Sequence, residues 1–339
     1  MGNTVEPLKY NFYEFKIYDD IYNCVFYLSK GFRKDMEDMI AFYNSNMYHN
    51  TVGIGVFDGH GGAVVSKLLS QNFLSFIIKR LKKKISIDTI AESFIVYDNL
   101  LRDELKRSGL YQGSTAVINI ISNNKLYIAH LGDSRCLVCS KNNILYESID
   151  HKPDNSEEYK RIISHKASVY NNRINGNLNL SRAFGDYFYK QLNKYIVSNI
   201  PYVKTIPLNK VYFILLFTDG ISDVIDNYEL YTYVRYRLEL GDSIQHITRN
   251  IIHACIYRKS SDNMTICIVA KEGGFIVNEG YKSDDIAENY RIVNEIKELI
   301  KHKKYSINSI INELKQTSTY KFGLEYKYWL IEKLLGSII

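Results

Sequence analysis

Carboxylates stand at the ends of short β-rich runs over most of this chain, and that pattern constrains its fold more than any other feature. The runs cover residues 23–28, 39–43, 51–57, 114–121, 125–131, 136–140, 211–217 and 264–270. Most mix Val, Ile, Tyr and Phe and are bounded by Gly, Asn or Asp, which is the composition of strands and their turns. Asn123-Asn124, between two runs, reads as a hairpin turn. Asp58, Asp133 and Asp219 follow strands, whereas Glu37, Asp38 and Asp262 precede them. In an antiparallel sheet the start of one strand lies beside the end of its neighbour. Acids placed this way gather along one edge, where they repel unless cations sit between them. Oxygen ligands without paired His or Cys suit Mg²⁺ or Mn²⁺ better than Zn²⁺.

Helical spacing appears in pairs. Val64, Val65, Leu68, Leu69, Phe73, Phe76 and Ile77 form one apolar stripe, and Ile90, Phe94, Tyr97, Leu101 and Leu105 a second. Residues 227–240 and 243–258 read as two more helices. Hairpin-linked strands with paired helices predict an α+β fold, with helices layered on antiparallel sheets. From about residue 284 the pattern turns wholly helical. Asp285 and Glu288 fit a capping box, and Ile292, Val293, Ile296, Leu299 and Ile300 follow at helical spacing. We expect a lead segment at 1–19, a main domain at 20–272 and a helical extension at 273–339 that packs on that domain or recruits a partner.

Length and composition agree with one large domain and an appendage. The chain has 339 residues, 46% of them hydrophobic, and only 4 prolines, too few for long disordered linkers. A net charge of +6 falls short of a nucleic-acid footprint. The longest apolar run, 211–217, has the length of a buried strand and not of a membrane span. The 5 cysteines are scattered. Cys136 and Cys139 form a C-x-x-C, but on a strand residues three apart point to opposite faces, which rules out a shared metal or redox pair. Glycosylation sequons at Asn179 and Asn263 fall in segments assigned to the site. These points favour a reducing, cytoplasmic setting. Met1-Gly2-Asn3 begins like a myristoylation signal, but Glu6 stands where Ser or Thr belongs and argues against acylation.

The strand at 51–57 ends in "VFDGHGG" (56–62), where a carboxylate, an imidazole and bare backbone meet. A plain turn needs fewer glycines. With this stretch and the motifs around it, the chain resembles the metal-dependent serine/threonine protein phosphatases of the protein phosphatase 2C family. The matching motifs run in family order: "GFRKDMED" (31–38), "VFDGHGG" (56–62), "GSTAV" (113–117), "HLGDSR" (130–135), "DHKPD" (150–154), "RINGNLNLSRAFGD" (173–186), "FTDGISD" (217–223) and "SSDNMT" (260–265). They span roughly residues 20–271.

The resemblance implies an antiparallel β-sandwich flanked by paired helices in four layers, with two divalent ions, Mg²⁺ or Mn²⁺, at its edge. Asp58 resembles the carboxylate that bridges them. Asp219 and Asp262 match the other ligands of one ion. The second takes the Gly59 carbonyl and, through water, Glu37, with Asp38 nearby. Asp133, with Asp219, resembles a weaker third site. Arg33 matches the arginine that holds the substrate phosphate, and His60 the general acid. The implied reaction is hydrolysis of phosphoserine and phosphothreonine in proteins by a metal-bridged hydroxide, without a covalent phosphoenzyme. No cysteine here is followed by arginine six positions on, so a phosphocysteine mechanism has no candidate.

Two departures bear on this. Ser222 stands where the family often has tryptophan, and "HKASV" (165–169) where it has a Gly-Gly pair. The first affects packing behind the ions, the second substrate preference. The competing readings are a pseudophosphatase acting as a binding module and a phosphatase of small phosphorylated metabolites. Every aligned ligand is retained, which favours an active enzyme.

Overall fold

The computed structural model describes residues 10–17, 22–45, 51–82, 85–105, 111–193, 195–271, 289–299 and 309. The chain opens with β1 (Tyr10–Ile17), β2 (Tyr22–Ser29), β3 (Met39–Ser45) and β4 (Thr51–Phe57). The two-residue β5 (Gly59–His60) precedes helices α1 (Val64–Arg80) and α2 (Ile87–Glu104). Next come β6 (Gly113–Ser114), β7 (Ala116–Ser122), β8 (Lys125–Leu131), β9 (Arg135–Cys139) and β10 (Ile144–Glu147). Helix α3 (Ser156–Ser164) and a small hairpin, β11 (Val169–Tyr170) and β12 (Arg173–Ile174), lead to β13 (Phe184–Gly185) and α4 (Tyr187–Leu192). The last described stretch of the main domain holds β14 (Tyr202–Pro207), β15 (Phe213–Phe217), α5 (Asp219–Ser222), α6 (Asn227–Glu239), α7 (Ile244–Tyr257) and β16 (Met264–Lys271).

Two antiparallel sheets organise the domain, ordered β1-β2-β16-β15-β9-β10 and β14-β8-β7-β4-β3. Strand periodicity sorts side chains between their faces. Phe26 and Leu28 of β2 join Val52, Ile54 and Val56 of β4 in one core shared by the two sheets. Tyr27, pointing the other way, packs with α6 and α7, through Val234, Ile247 and Ile251 among others. On the second sheet Ile118 and Ala129 meet α1 and α2 through Leu69, Phe73 and Phe94. Each fully buried Phe or Leu in these cores contributes about 1.5–3 kcal/mol over an exposed one. Ser86, Asp226 and Ser243 accept hydrogen bonds from the first-turn amides of α2, α6 and α7, which fixes where those helices start.

The α+β class with antiparallel sheets is therefore as the sequence reads, and most element bounds lie within a few residues of it. Asn123 and Asn124 both take the left-handed conformation (φ 50° and 58°) that a two-residue hairpin requires. Cys136 packs in the core between the sheets and Cys139 in the core under α6 and α7, so they do face opposite ways. Three differences stand out. The expected strand 114–121 is split at Thr115 into β6 and β7. β14 and α3 do not appear in the sequence reading. And Tyr10–Ile17, placed in a lead segment, pairs with β2 along its whole length, so a boundary at residue 20 cuts through a sheet.

Of the 273–339 extension, residues 289–299 are helical and Ile292 and Ile296 are buried, four apart as on one helix face. The remaining stripes and the 285–288 capping box lie outside the described residues, as does the 1–6 segment. Among the described residues no helix is long and apolar enough to cross a membrane.

Candidate active site

Strand ends deliver the acids. Glu37 and Asp38 lie just before β3, Asp58 just after β4, Asp133 after β8, Asp219 at the start of α5 and Asp262 before β16. The fold brings Asp58, Asp133 and Asp219 together, with one carboxylate oxygen of each within 4.8 Å of the others. Asp262 acts on both Asp58 and Asp219 through its charge, and Asp38 adjoins Asp58. Glu37 is half-buried beside His60, Arg33 and Asp262.

The electrostatics are those of an acidic site that Lys152 and Arg33 compensate only in part. Burial, and then the neighbouring carboxylates, push Asp58 and Asp219 well above the usual range. Burial also raises Asp38 to about 7, against the pull of two threonine hydroxyls. Such a group needs protons or cations between its members. Asp133 adds a specific sign. Its Oδ1 is buried without a hydrogen-bond partner, while Oδ2 takes the Lys152 ammonium. An all-oxygen donor set with an orphaned buried oxygen fits a hard divalent cation.

Backbone contacts hold the acids in place. The Asp58 amide donates to Thr115 Oγ1 (3.1 Å) and the Asp58 carbonyl accepts from the Thr115 amide (2.9 Å). Thr115 Oγ1 also meets Ser134 Oγ at 2.6 Å, next to Asp133. This explains the break between β6 and β7, because Thr115 leaves the ladder to join the Asp58 and Asp133 loops. Thr218 and Thr265 donate to one oxygen of Asp38 at 3.0 and 2.7 Å. Asn263 donates to the carbonyls of Lys30 and Asp35 and accepts from the Glu37 amide at 2.7 Å. A glycan at this buried side chain has no room. Two glycines are required by close approach. A Cβ on Gly220 would overlap the Asn263 carbonyl, and one on Gly59 would sit 2.6 Å from Ser66 Oγ and 2.7 Å from the Glu37 carbonyl.

His60 and Arg33 border the acids. His60 Nε2 lies 2.8 Å from Oδ2 of Asp186, which is buried and held at a left-handed φ of 51°. Burial opposes protonation of His60, but Asp186 outweighs it and raises the imidazole pKa. Arg33 is about half exposed. Its Nε donates to the Ser261 carbonyl (2.9 Å) and Nη2 to Asp262 Oδ2 (2.6 Å), which ties it to the loop carrying Asp262.

Several members of this site were not assigned from sequence: Lys152, Asp186, Thr115, Thr218, Thr265 and Asn263. All six sit inside the motifs as second or later letters, and Lys152 of "DHKPD" and Asp186 of "RINGNLNLSRAFGD" carry charge that could have prompted the question. Asp223, also in "FTDGISD", adds to the repulsion on Asp219. In the departure at 165–169, Lys166 takes φ 63°, the left-handed conformation that glycine adopts without strain. Ser222 is the last residue of α5 and half-buried.

A two-sheet α+β domain with buried carboxylates gathered at one edge defines a class of protein built to hold divalent cations there. Comparison with known proteins narrows the class. The family profile described as Protein phosphatase 2C matches residues 23–264. Protein phosphatase 1A of Bos taurus is 31% identical over 279 residues, covering 77% of this chain and 73% of that one. Probable protein phosphatase 2C 4 of Paramecium tetraurelia is 32% identical, covering 72% and 90%. Among solved structures, the serine-threonine phosphatase 2C from Toxoplasma gondii superposes with a TM-score of 0.62 at 21% identity, over 77% of this chain and 99% of that one. A phosphatase from a pathogenic strain of the same organism gives 0.66 at 21% identity, over 78% and 96%. At that identity the structures speak for the fold alone. This chain belongs to the protein phosphatase 2C family, and with it to the metal-dependent protein serine/threonine phosphatases.

Proposed function

We propose that the chain hydrolyses phosphoserine and phosphothreonine in proteins by direct attack of water, using two Mg²⁺ or Mn²⁺ ions at the carboxylate edge. The observation that carries this is the convergence of Asp58, Asp133 and Asp219 within 4.8 Å. Asp58 would bridge the ions, Asp219 and Asp262 complete one ligand set, and the Gly59 carbonyl with Glu37 serve the other. Asp38, fixed by Thr218 and Thr265, braces Asp58, and Asp133 with Asp219 offers the weaker third site. Divalent ions held there lower the pKa of water and neutralise phosphate oxygens.

The chain's own residues do the rest. Arg33 offers its planar fork to the phosphate, a task suited to a guanidinium. His60, oriented by Asp186, gives a proton to the departing serine or threonine oxygen. A cysteine nucleophile has little support, since all five thiols are buried and burial pushes that of Cys136 up to about 12. Retention of every aligned acid at the edge weighs against a pseudophosphatase. We place the catalytic unit before residue 272, with 273–339 as an accessory segment that contacts the domain or a partner protein.

One assay tests the reading. Turnover of a phosphothreonine peptide and of free phosphorylated metabolites is compared with chelator and with added Mn²⁺. The expected result is peptide hydrolysis that requires the metal. Robust turnover after exhaustive metal removal, or a preference for metabolites, would overturn it.

A further inference from the structure

One side of the molecule carries a feature that the phosphatase reaction does not use. β10 is the edge strand of one sheet and β14 of the other. Beside them lies a cavity of about 380 Å³, which the first turn of α3 also lines. Its aromatic wall is continuous. His130 stacks on His151 with 4.8 Å between ring centres, Tyr202 leans against His130 at 5.5 Å, and Tyr146 stands nearly parallel to Tyr202 at 6.4 Å.

Two polar groups of this wall are unused. Nδ1 of His130, a residue only 2% exposed, and the Tyr146 hydroxyl are buried without hydrogen-bond partners. Leaving such a group unsatisfied costs about 1–3 kcal/mol. One water would relieve one of them, but the cavity has room for far more than the roughly 30 Å³ of a single water.

Charge then selects the ligand. Burial, with Arg182 nearby, lowers His130 to about 4, and burial with His130 nearby lowers His151 to about 2, so both rings are neutral at pH 7. Arg182 is engaged by Glu158 through contacts of 3.0 and 2.5 Å. Glu147 and Glu157 are exposed cavity residues with no ion pair within 4 Å among the described residues, although Glu147 accepts from Asn227 Nδ2 (2.5 Å) and acts on Arg135 through its charge. The cavity thus offers flat π-faces and unused hydrogen-bonding groups, and its charged lining is Glu147, Glu157 and Glu158 against Arg182, whose charge acts on the imidazole end. A metal ion is the poorer fit, because these imidazoles and carboxylates do not converge as Asp58, Asp133 and Asp219 do.

We propose that this cavity is a binding site for a planar organic cation of the amidinium or guanidinium class. Such a cation lies against the tyrosine and histidine faces, donates to neutral imidazole and is paired by Glu147 and Glu157. The site backs onto the metal edge. The Gly132 amide donates to His151 Nδ1 (3.1 Å), and the next residues, Asp133 and Lys152, form the ion pair described above.

The test uses metal-free, full-length protein and no turnover, so its failure leaves the phosphatase reading untouched. Benzamidine and N-acetylarginine methylamide are titrated by NMR, following ligand signals and the ring resonances of His130 and His151, with benzoate as the control of opposite charge. We expect at least one cation to bind with a dissociation constant on the order of 1 mM, as befits a fragment. Binding should weaken about fivefold in the Glu147→Gln/Glu157→Gln variant, whose changes lie at exposed positions, and benzoate should not bind. Tighter binding of benzamidine supports a free aromatic cation as the ligand, and the reverse order an arginine side chain of a bound protein. No binding by either cation, equal binding of benzoate, or binding that survives the double variant and is displaced by Mn²⁺ would overturn the proposal.

Discussion

Replacing Asp219 with Asn should stabilise the metal-free protein while abolishing its response to metal. The carboxylate oxygens of Asp58, Asp133 and Asp219 lie within 4.8 Å of one another. At an effective dielectric constant of about 20, two charges at that distance repel by about 3.5 kcal/mol. Asp219 faces two such neighbours, and Lys152 offsets part of their effect. Burial and then these carboxylates raise the Asp219 pKa, so protonation relieves some of the repulsion. We expect about 2 kcal/mol to remain at pH 8, and Asp219→Asn to be more stable than wild type by that amount in EDTA.

The pH dependence has a definite sign. A carboxyl whose folded pKa is raised contributes stability that is fully present below its unfolded value, about 3.9, and is lost as pH rises through the folded value. Chelated wild type therefore weakens from pH 5 to pH 8, and the variant weakens less. Added Mn²⁺ should reverse the ranking. At a hundredfold excess over its dissociation constant it stabilises wild type by about 2.7 kcal/mol and the variant hardly at all. Urea unfolding at both pH values, with EDTA and with Mn²⁺, measures every quantity. A variant less stable than wild type in EDTA at pH 8, or an equal gain from Mn²⁺ in both proteins, would refute the reasoning.

His60→Gln should cost about a hundredfold to ten-thousandfold on a phosphothreonine peptide, and much less on p-nitrophenyl phosphate, whose leaving group needs no proton. Calorimetric Mn²⁺ affinity should stay near wild type, and equal losses on both substrates would make His60 a turn residue. Gly59→Ala forces a Cβ against Ser66 and the Glu37 carbonyl. Overpacking of this kind costs about 1–3 kcal/mol, so Mn²⁺ affinity should fall about tenfold, as calorimetry would record. Glu158, nearly fully buried, is held at about 2 where 4.5 is ordinary, since Arg182 and Arg161 overcome the effect of burial. That difference is worth about 3 kcal/mol, present above about pH 4.5 and lost as pH falls towards 2. Glu158→Gln should remove it, so that the gap in urea midpoint between wild type and variant narrows from about pH 4.5 downwards and closes only below about pH 2; a constant gap would contradict this origin.

What the sequence determined by itself was local. Runs rich in Val, Ile, Tyr and Phe, bounded by Gly, Asn or Asp, mark β4, β8 and β16, because β-branched and aromatic side chains suit a pleated, buried strand. Asp58, Asp133, Asp219 and Asp262 were legible as strand-end acids, and antiparallel pairing made their gathering at one edge a consequence. Asn123-Asn124 carried its own turn, and Ser243 and Asp226 their own helix starts. The ordered motifs supplied the family, and with it roles for Arg33 and His60 that spacing alone could not assign.

Tertiary structure decided what depends on distant partners. β1 and β14 are edge strands with mixed burial, and they are held by ladder hydrogen bonds to β2 and β8 more than by any pattern of their own. Asp186 meets His60 across 126 residues, and Lys152 reaches Asp133 from a neighbouring loop. Thr115 is a strand residue by composition, yet it leaves the ladder because its hydroxyl bonds both the Asp58 amide and Ser134. The cavity between β10 and β14 exists only because the edges of two sheets, built from separate parts of the chain, end on the same side. Periodicity records which way a side chain points from its own backbone. It holds no information on which remote backbone arrives there, and the charge pairs and orphaned donors of this protein arise from that arrival.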